Sequence, residues 1–384
     1  MRVVTETSEL SDLARDAGHA ERLAVDLEAS GMFAYRASIC TVQLAWHSAE
    51  HLAVVDTLTA PVAGLARLLG VDGPTKIVHD VAFDARLLAE AGVELGNVHD
   101  TAIAAHMLGR AATGLASLLA SELGVQIAKG MQQHDWRLRP LDAGMLTYLA
   151  ADVAHLEALE RVLWREVTER GVEDEVLEET RYRLASAAAG ARAPQDAPAY
   201  ARIKGVSKLP ERDRAALRVL AELREREAQR RDVPPYRVAS NETLIALAHA
   251  RPTTPTEVAR MRGVASASPE ARAFIEEVAR GMAAAGVTIP EEERALFEKP
   301  QMPAAAAKAR REREVRLLSW RRAEAKRRGV DEQVVLPGHC AKDAVDGDIA
   351  SANDLARVRG IGAFRVHRDG DAIVRALRGE EVAT

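Results

Sequence analysis

The chain has 384 residues, of which 47% are hydrophobic, 28% charged and 4% aromatic, and its formal net charge is −5. This length exceeds the size at which a single hydrophobic core usually keeps growing, so two or three domains are expected. Because no signal-peptide core and no run of eighteen uncharged apolar residues occurs, we expect a soluble, cytoplasmic protein without a membrane partner. Only Cys40 and Cys340 are present, far apart and without CxxC spacing, so neither a disulfide framework nor a thiolate zinc site is supported.

Strand and helix patterns alternate through the first 170 residues. The runs ERLAVDLEA, SICTVQLAW and HLAVVDT lie close together and predict an antiparallel meander, and TKIVHD and GNVHDT predict a fourth and a fifth strand. Helical periodicity marks PVAGLARLLG, FDARLLAEAG, TAIAAHMLG, LASLLASELG and a long segment from Leu141 to Glu169. We therefore predict an α/β domain with a mixed five-stranded sheet flanked by helices.

Beyond residue 170 the patterns are helical and contain an internal repeat. At an offset of 97 residues, EVARMRGV at 257–264 matches DLARVRGI at 354–361, and the arginine-rich segment at 223–233 matches the one at 320–330. Proline-rich and glutamate-rich residues separate the copies. The predicted domains are 1–205, 208–286 and 306–384, with a linker at 287–305.

Charge is distributed unevenly over these regions. Residues 1–207 hold 19 Lys and Arg against 29 Asp and Glu, whereas 208–286 hold 14 against 11 and 306–384 hold 17 against 13. Such asymmetry indicates nucleic-acid contact by the basic modules, although arginine-rich helices that are merely solvated would give the same counts.

Acidic residues in the first region form a pattern that suits divalent cations. Asp26 and Glu28 are two apart in a strand and face the same side, and Tyr148 and Asp152 are four apart on one helix face. Asp84 begins a helix, where an aspartate also serves as an ordinary cap. Clustered carboxylates repel one another unless a hard cation such as magnesium or manganese holds them.

Three motifs in this order, DLE, HDVAFD and YLAAD, with HDWRLRPL before the third, resemble the ribonuclease D family of the DEDDy 3′-to-5′ exonuclease superfamily. The repeats resemble HRDC domains, the first clearly and the second divergently. The resemblance implies a ribonuclease H-like fold with two all-α HRDC-like bundles. It also implies that two divalent cations, Mg²⁺ or Mn²⁺, are held by Asp26, Glu28, Asp84 and Asp152, while Tyr148 orients the attacking water.

The activity implied is metal-dependent exoribonuclease hydrolysis of single-stranded RNA 3′ ends to nucleoside 5′-monophosphates, in the processing of transfer RNA and other stable RNA precursors. Two alternatives stay open: a DNA-directed exonuclease of the same superfamily and a catalytically silent RNA-binding scaffold. A monomer is expected, because no unusually long apolar face marks a dimer interface.

Substrate contacts are predicted from position and residue type. Forked guanidinium groups suit phosphates, and aromatic planes in the turn after Glu28 suit unpaired bases. The candidates in the first domain are Gln43, Tyr35, Arg36, Arg137 and Arg139. In the two repeats the candidates for nucleic-acid contact are Arg260, Arg262, Arg357 and Arg359.

Overall fold

The structure is a computed structural model that describes residues 1–127, 130–192, 197–265, 267–297 and 302–380. The chain divides into two compact units. Unit 1 contains Met1–Ala29, Ile39–Arg192 and Met302–Thr384, and unit 2 contains Ser30–Ser38 and Ala193–Gln301. The second repeat therefore belongs to the same unit as the α/β region. Parts of the predicted linker at 287–305 lie outside the described residues.

A six-stranded sheet forms the centre of unit 1. Its strands are β1 (Arg2–Val4), β2 (Arg22–Ala29), β3 (Ile39–Trp46), β4 (His51–Asp56), β5 (Thr75–Val78) and β6 (Val98–Asp100). Their spatial order is β1-β4-β3-β2-β5-β6. Strands β2, β3 and β4 form the predicted antiparallel meander, whereas β1, β5 and β6 each pair in parallel with a neighbour.

The prediction of five strands is wrong by one, because β1 was missed. This strand has three residues, of which only Val4 is buried, so it carries no alternation long enough to be recognised. It pairs with β4 from Arg2 to Val4 and forms one end of the sheet. The other five strands lie where the sequence predicts them.

Helices account for the remaining regular structure. The α-helices among the described residues are α1 (Thr7–Gly18), α2 (Ala66–Leu69), α3 (Ala82–Glu90), α4 (Thr101–Met107), α5 (Leu115–Leu118), α6 (Ala143–Ala154), α7 (Leu156–Glu169), α8 (Glu173–Arg192), α9 (Glu211–Arg231), α10 (Pro235–Val238), α11 (Asn241–Ala250), α12 (Pro255–Ala259), α13 (Pro269–Ala284), α14 (Glu291–Arg294), α15 (Ala304–Arg328), α16 (Glu332–Val335), α17 (Gly338–Asp346), α18 (Ala352–Leu355) and α19 (Ala363–Arg378). The prediction of a single long helix from Leu141 to Glu169 is wrong, because the segment is divided at His155 into α6 and α7.

Packing places α6 beside the central strands. All eight residues of β3 are buried, and α6 packs against β2, β3 and β4 while α7 packs against β2 and β5. Met145, Leu149 and Val153 form the buried face of α6. Helix positions that adjoin this buried face, such as those of Tyr148 and Asp152, therefore lie close to the meander.

The two repeats have the same order of helices. Helices α9 to α13 form the first, and α15 to α19 form the second, each with a long, a short, a medium, a short and a long helix. Each surrounds its own apolar core. Gly263 and Gly360, at equivalent positions, have positive φ angles of 85° and 78°, and a Cβ atom at Gly360 would lie 2.8 Å from the Tyr182 ring. Both glycines thus allow a left-handed backbone conformation that other residues rarely adopt.

Among the residues that the structure describes, no helix is long and apolar enough to cross a membrane.

Candidate active site

Strand β2 carries the first two acids. Asp26 and Glu28 project from the same side of the strand, and they lie opposite Gln43 and Thr41 of β3. The register shifts between Glu28 and Ala29. A bulge of this kind changes the direction of the chain directly after the second acid and is common beside functional sites.

Helix α6 carries the tyrosine and a third acid. The carboxylate of Asp142 accepts a hydrogen bond of 2.9 Å from the amide of Met145 and caps the helix. Tyr148 and Asp152 are one turn apart, at positions next to the buried Met145 and Leu149, and Tyr148 packs against the same cluster as these two residues. The helix thus presents both polar groups together, as their spacing predicts.

Helix α3 carries the fourth acid. Asp84 lies in its first turn, while the N-cap position belongs to Val81, so Asp84 is not the cap. The buried carboxylate of Asp100 accepts hydrogen bonds from the amides of Asp80 and Val81 at 3.2 and 2.8 Å, and it also caps α4. Asp100 therefore fixes the start of the helix that bears Asp84.

Three of the acids converge. Asp26, Glu28 and Asp152 offer carboxylate oxygens that lie within 4.8 Å of one another, and within the described ranges this is the one group of three or more potential metal-binding side chains at such distances. All three are partly exposed. Their oxygens suit a hard divalent cation and are open to an incoming substrate.

The electrostatics of this cluster favour protons or cations. Burial raises the pKa of Asp26 to about 7. Burial, together with the charges of Asp26 and Asp152, raises the pKa of Glu28 to about 9, and burial and Asp26 raise the pKa of Asp152 to about 7. Near neutral pH the negative charges are therefore costly unless a cation compensates them.

Asp84 and Tyr148 belong to the same electrostatic neighbourhood. Burial and the charges of Asp26 and Glu28 raise the pKa of Asp84 well above its usual range. Burial and the charges of Asp152, Glu28 and Asp26 likewise raise the pKa of the Tyr148 phenol. The tyrosine consequently keeps its proton and can donate a hydrogen bond at neutral pH.

Tyr35 and Arg36, two residues predicted to contact the substrate from the turn after Glu28, belong to unit 2. The hydroxyl of Tyr35 donates to Glu225 at 2.8 Å and accepts from Gln229 at 3.0 Å, and its amide donates to Asp232 at 3.1 Å. Arg36 is exposed. These bonds give Tyr35 a structural role in unit 2, and base stacking by either residue stays a prediction.

Arg139 is a structural anchor. Its Nε and Nη2 donate to the carboxylate of Asp56 at 2.5 and 2.7 Å, Nη2 also donates to the Cys40 carbonyl, and Nη1 donates to the carbonyls of Trp136 and Leu138. All five guanidinium hydrogens are thereby used. We therefore correct the prediction that Arg139 pairs with a phosphate.

The remaining predicted contacts differ in accessibility. Arg137 pairs with the neighbouring Asp135 at 2.9 Å. Gln43 is fully buried and donates to the Thr41 hydroxyl at 2.7 Å, while its Oε1 accepts no hydrogen bond from the described residues. The repeat candidates Arg260, Arg262, Arg357 and Arg359 are all exposed. For these residues substrate contact stays a prediction.

Two aromatic residues near the site were missed as functional candidates. Trp136, in the HDWRLRPL motif, is 1% exposed and its ring centroid lies 5.6 Å from that of Tyr148. Phe83, next to Asp84, is 49% exposed although it is large and apolar. The place of Phe83 inside the second motif, directly before Asp84, was the available signal. The contact of Trp136 with Tyr148, in contrast, depends on tertiary structure.

Comparison with known proteins decides the family. A 3′-5′ exonuclease family model matches residues 1–168, and an HRDC domain model matches residues 213–279. Ribonuclease D of Acidiphilium cryptum is 31% identical over 278 residues, which cover 71% of this chain and 69% of that protein. The chain belongs to the ribonuclease D family. Ribonuclease D of Zymomonas mobilis is 29% identical over 68% of this chain and 67% of that protein.

Solved structures agree on the fold of this ribonuclease D family member. Escherichia coli RNase D has a TM-score of 0.69 at 21% identity, with 98% of each chain covered. A protein from Bifidobacterium adolescentis has a TM-score of 0.75 at 21% identity and covers 99% of this chain and 97% of its own. The exonuclease fold with its mixed sheet and an HRDC domain is therefore confirmed.

Family membership establishes the activity. The chain is a 3′-5′ exoribonuclease, a hydrolase with an HRDC domain, and the exonuclease superfamily to which it belongs is metal-dependent. The convergence of Asp26, Glu28 and Asp152 supplies a candidate site for that metal. A catalytically silent scaffold and a DNA-directed enzyme, the two alternatives, lose their support. Nucleic-acid binding follows from the family.

Proposed function

We propose that Asp26, Glu28, Asp84 and Asp152 hold two divalent cations, Mg²⁺ or Mn²⁺, and that Tyr148 orients the water that cleaves the terminal phosphodiester. The observation that carries this proposal is the convergence of the Asp26, Glu28 and Asp152 oxygens within 4.8 Å. The charges of Asp26 and Glu28 also act on Asp84. Carboxylate oxygens are the ligands that both ions prefer.

The residues fit such ions electrostatically. Partly buried carboxylates that raise one another's pKa gain most from a bound cation, because it removes their mutual repulsion. Their partial exposure leaves coordination positions for phosphate oxygens. When bound, two such cations lower the pKa of water and neutralise charge on the attacking and leaving oxygens.

Tyr148 acts through its hydroxyl. Its raised pKa keeps the phenol protonated, so Tyr148 positions the water by hydrogen bonding and does not remove a proton from it. The N-cap of α6 and the packing of Leu149 fix the helix turn from which the hydroxyl projects. Tyr148 thereby limits the directions from which water approaches the phosphate.

We propose single-stranded RNA 3′ ends as the substrate, with nucleoside 5′-monophosphates as products, in the maturation of transfer RNA and other stable RNAs. The solved relative from Escherichia coli is described as an exoribonuclease involved in structured RNA processing, which supports this substrate class. The exposed arginines at positions 260, 262, 357 and 359 supply positive charge for RNA. The protein would act as a cytoplasmic monomer.

The domain boundaries belong to the same proposal. We place the exonuclease domain at 1–205, an HRDC domain at 208–286, a linker at 287–305 and an HRDC-like domain at 306–384. The match of the HRDC model to residues 213–279 supports the first module. The repeated order of five helices among the described residues supports the second.

A test uses the full chain, acidic-residue variants and an RNA oligomer labelled at its 5′ end. Asp26→Asn and Asp152→Asn should each lower turnover by at least about 100-fold, because removing one carboxylate disrupts a cation site. Asp12→Asn is the matched control, since Asp12 is an exposed acid that pairs with Arg15 on α1. Wild-type turnover in Asp26→Asn would exclude the proposed site.

A further inference from the structure

Trp136 occupies a place that connects the core to the candidate active site. It is 1% exposed and packs in a cluster with Cys40, Val54, Met145 and Leu149. Tyr148 packs against the same cluster as a partly buried member. The tryptophan thus lies between the buried strands β3 and β4 and the helix that carries Tyr148 and Asp152.

The ring of Trp136 lies against the proposed water-orienting residue. Its centroid is 5.6 Å from that of Tyr148, and the two planes are inclined by 32°. A ring pair in this distance range is attractive and restricts the rotation of the partly exposed partner. Trp136 therefore limits where the Tyr148 hydroxyl can lie.

The indole nitrogen of Trp136 is unusual for a buried polar group. No acceptor in the described part of the chain completes a hydrogen bond of normal geometry with Nε1. Glu28 is nevertheless close enough for the indole N–H to lower the pKa of its carboxyl. The N–H therefore lies near Glu28, has no other acceptor among the described residues, and needs only a small change in geometry to donate to the Glu28 carboxylate.

The backbone holds the tryptophan in this place. The Trp136 carbonyl accepts a 2.7 Å hydrogen bond from Arg139, whose guanidinium is in turn fixed by Asp56 and the Cys40 carbonyl. Asp56 is the last residue of β4 and Cys40 belongs to β3. The ring and its N–H are therefore tied to the same meander that contains Asp26 and Glu28.

We propose that Trp136 is a positioning residue of the exonuclease: its N–H donates to one oxygen of Glu28 while its ring holds Tyr148. Donation to one oxygen orients the carboxylate and leaves the other oxygen for a cation. This inference rests on the proposed roles of Glu28 and Tyr148. It assigns Trp136 no direct contact with RNA.

The test separates the two contacts with two substitutions. Trp136→Phe keeps an aromatic ring against Tyr148 and removes the N–H, whereas Trp136→Leu removes both. Trp164→Phe is the matched control, because Trp164 is partly buried on α7 and stacks on His99 with centroids 3.6 Å apart. Manganese affinity is measured without RNA from the electron paramagnetic resonance signal of free Mn²⁺, and turnover is measured from limiting to saturating metal.

Trp136→Phe should weaken Mn²⁺ binding by about 10-fold, the size expected when a group supporting a metal ligand is removed. Its turnover should fall most at limiting Mn²⁺ and rise toward the wild-type value as the metal concentration increases, because the lost contact acts through metal affinity. Trp136→Leu should in addition lower kcat by about 10- to 100-fold through misplacement of Tyr148. Wild-type manganese affinity in Trp136→Phe, or equal losses in Trp164→Phe, would overturn the inference.

A measurement on the unsubstituted protein covers the case in which the Trp136 variants do not fold. The four indole N–H signals of ¹⁵N-labelled protein are assigned by elimination with substitutions at Trp46, Trp164 and Trp320. Addition of Mg²⁺ should shift the Trp136 signal and leave that of Trp164 in place. A Trp136 signal that does not respond, while Mg²⁺ binds, would contradict the inference.

Failure of this inference is distinguishable from failure of the proposed site. Asp26→Asn and Glu28→Gln are measured beside the tryptophan variants. If these two lose activity and manganese binding while Trp136→Phe behaves as wild type, only the role of Trp136 is wrong. If Asp26→Asn stays active, the site itself is wrong.

Discussion

Spacing in the sequence determines which acids can act together at the candidate site. Asp26 and Glu28 share a strand face, and Tyr148 and Asp152 share a helix face, because periods of 2.0 and 3.6 residues govern these elements. The role of Arg139 could not be inferred from spacing within one strand or helix. Its partner Asp56 is 83 residues away, so a free guanidinium and a structural anchor look the same in the sequence.

Tyr148→Phe isolates the hydroxyl of the tyrosine. The substitution keeps the ring against Trp136 and removes the group that would orient water. We expect kcat to fall by about 100-fold, within the range for a positioned proton-sharing group, while the affinities for metal and RNA are unchanged. Single-turnover kinetics and equilibrium RNA binding are the measurements, and wild-type turnover would contradict the role.

The raised pKa values of the acids make stability depend on pH. In the metal-free protein, Asp26 and Asp152 titrate near pH 7 and Glu28 near pH 9, whereas unfolding returns them to about 4. The folded state therefore binds more protons between about pH 4 and pH 9, and the free energy of unfolding decreases as pH rises through this window.

Magnesium should oppose this loss of stability. At 100 times its Kd a ligand of the folded state stabilises by about 2.7 kcal/mol. Because protons compete for the same oxygens, the increase in Tm on adding Mg²⁺ should be larger at pH 8.5 than at pH 5.5. Thermal unfolding at both values, with Asp26→Asn as control, measures it. An equal increase at both values would show that Mg²⁺ binds elsewhere.

At the scale of elements, long periodic segments were predictable and short or interrupted ones were not. Strands β2 to β6 follow from their apolar runs, but β1 has three residues and depends on its pairing with β4. No proline or glycine lies at the junction of α6 and α7, where the helical period continues, so the division at His155 has no clear local signal. Tertiary packing determines both features.

The turn before α6 should depend on Arg139 for its stability. Asp56 is almost fully buried, so Arg139→Ala leaves a buried charge without its partner and should lower the free energy of unfolding by about 3 kcal/mol. Arg137→Ala should cost less than about 1 kcal/mol, because the Arg137 pair with Asp135 is more exposed. Denaturant unfolding compares them.

The unfolding of the Arg139→Ala variant also distinguishes a structural role of Arg139 from a contact of Arg139 with a phosphate of the RNA. If Arg139 contacted a phosphate, Arg139→Ala would raise KM for RNA and leave the unfolding midpoint unchanged. We expect a lower midpoint, together with reduced turnover through displacement of Trp136, whose carbonyl Arg139 holds.

For the whole molecule, the sequence predicted an exonuclease domain followed by an HRDC domain, as the family models also find, because motif order and repeat length extend over many residues. It could not predict the grouping in space. The second repeat belongs to the compact unit of the α/β region, and Ser30–Ser38 belongs to the unit of the first repeat. Such grouping depends on contacts that have no local pattern, such as the hydrogen bond between Tyr35 and Glu225.

The arginines of the first HRDC module should contribute to RNA affinity and not to chemistry. Replacing Arg260 and Arg262, both exposed, by alanine should raise KM and leave kcat unchanged. The slope of log affinity against log salt should become shallower by roughly 0.7 for each phosphate of single-stranded RNA that an arginine no longer neutralises. Arg272→Ala, at another exposed arginine of this module, is the control. An unchanged salt slope would remove these residues from the RNA-binding surface.

Degradation of matched oligomers tests the central claim most directly. RNA and DNA of one sequence, each with a free or a blocked 3′ end, are incubated with the full chain in Mg²⁺ or in a chelator. We predict a ladder shortened stepwise from the free 3′ end of RNA, with nucleoside 5′-monophosphates released only when metal is present. Cleavage in the chelator, shortening from the 5′ end, or the same rate with a blocked 3′ end would contradict it.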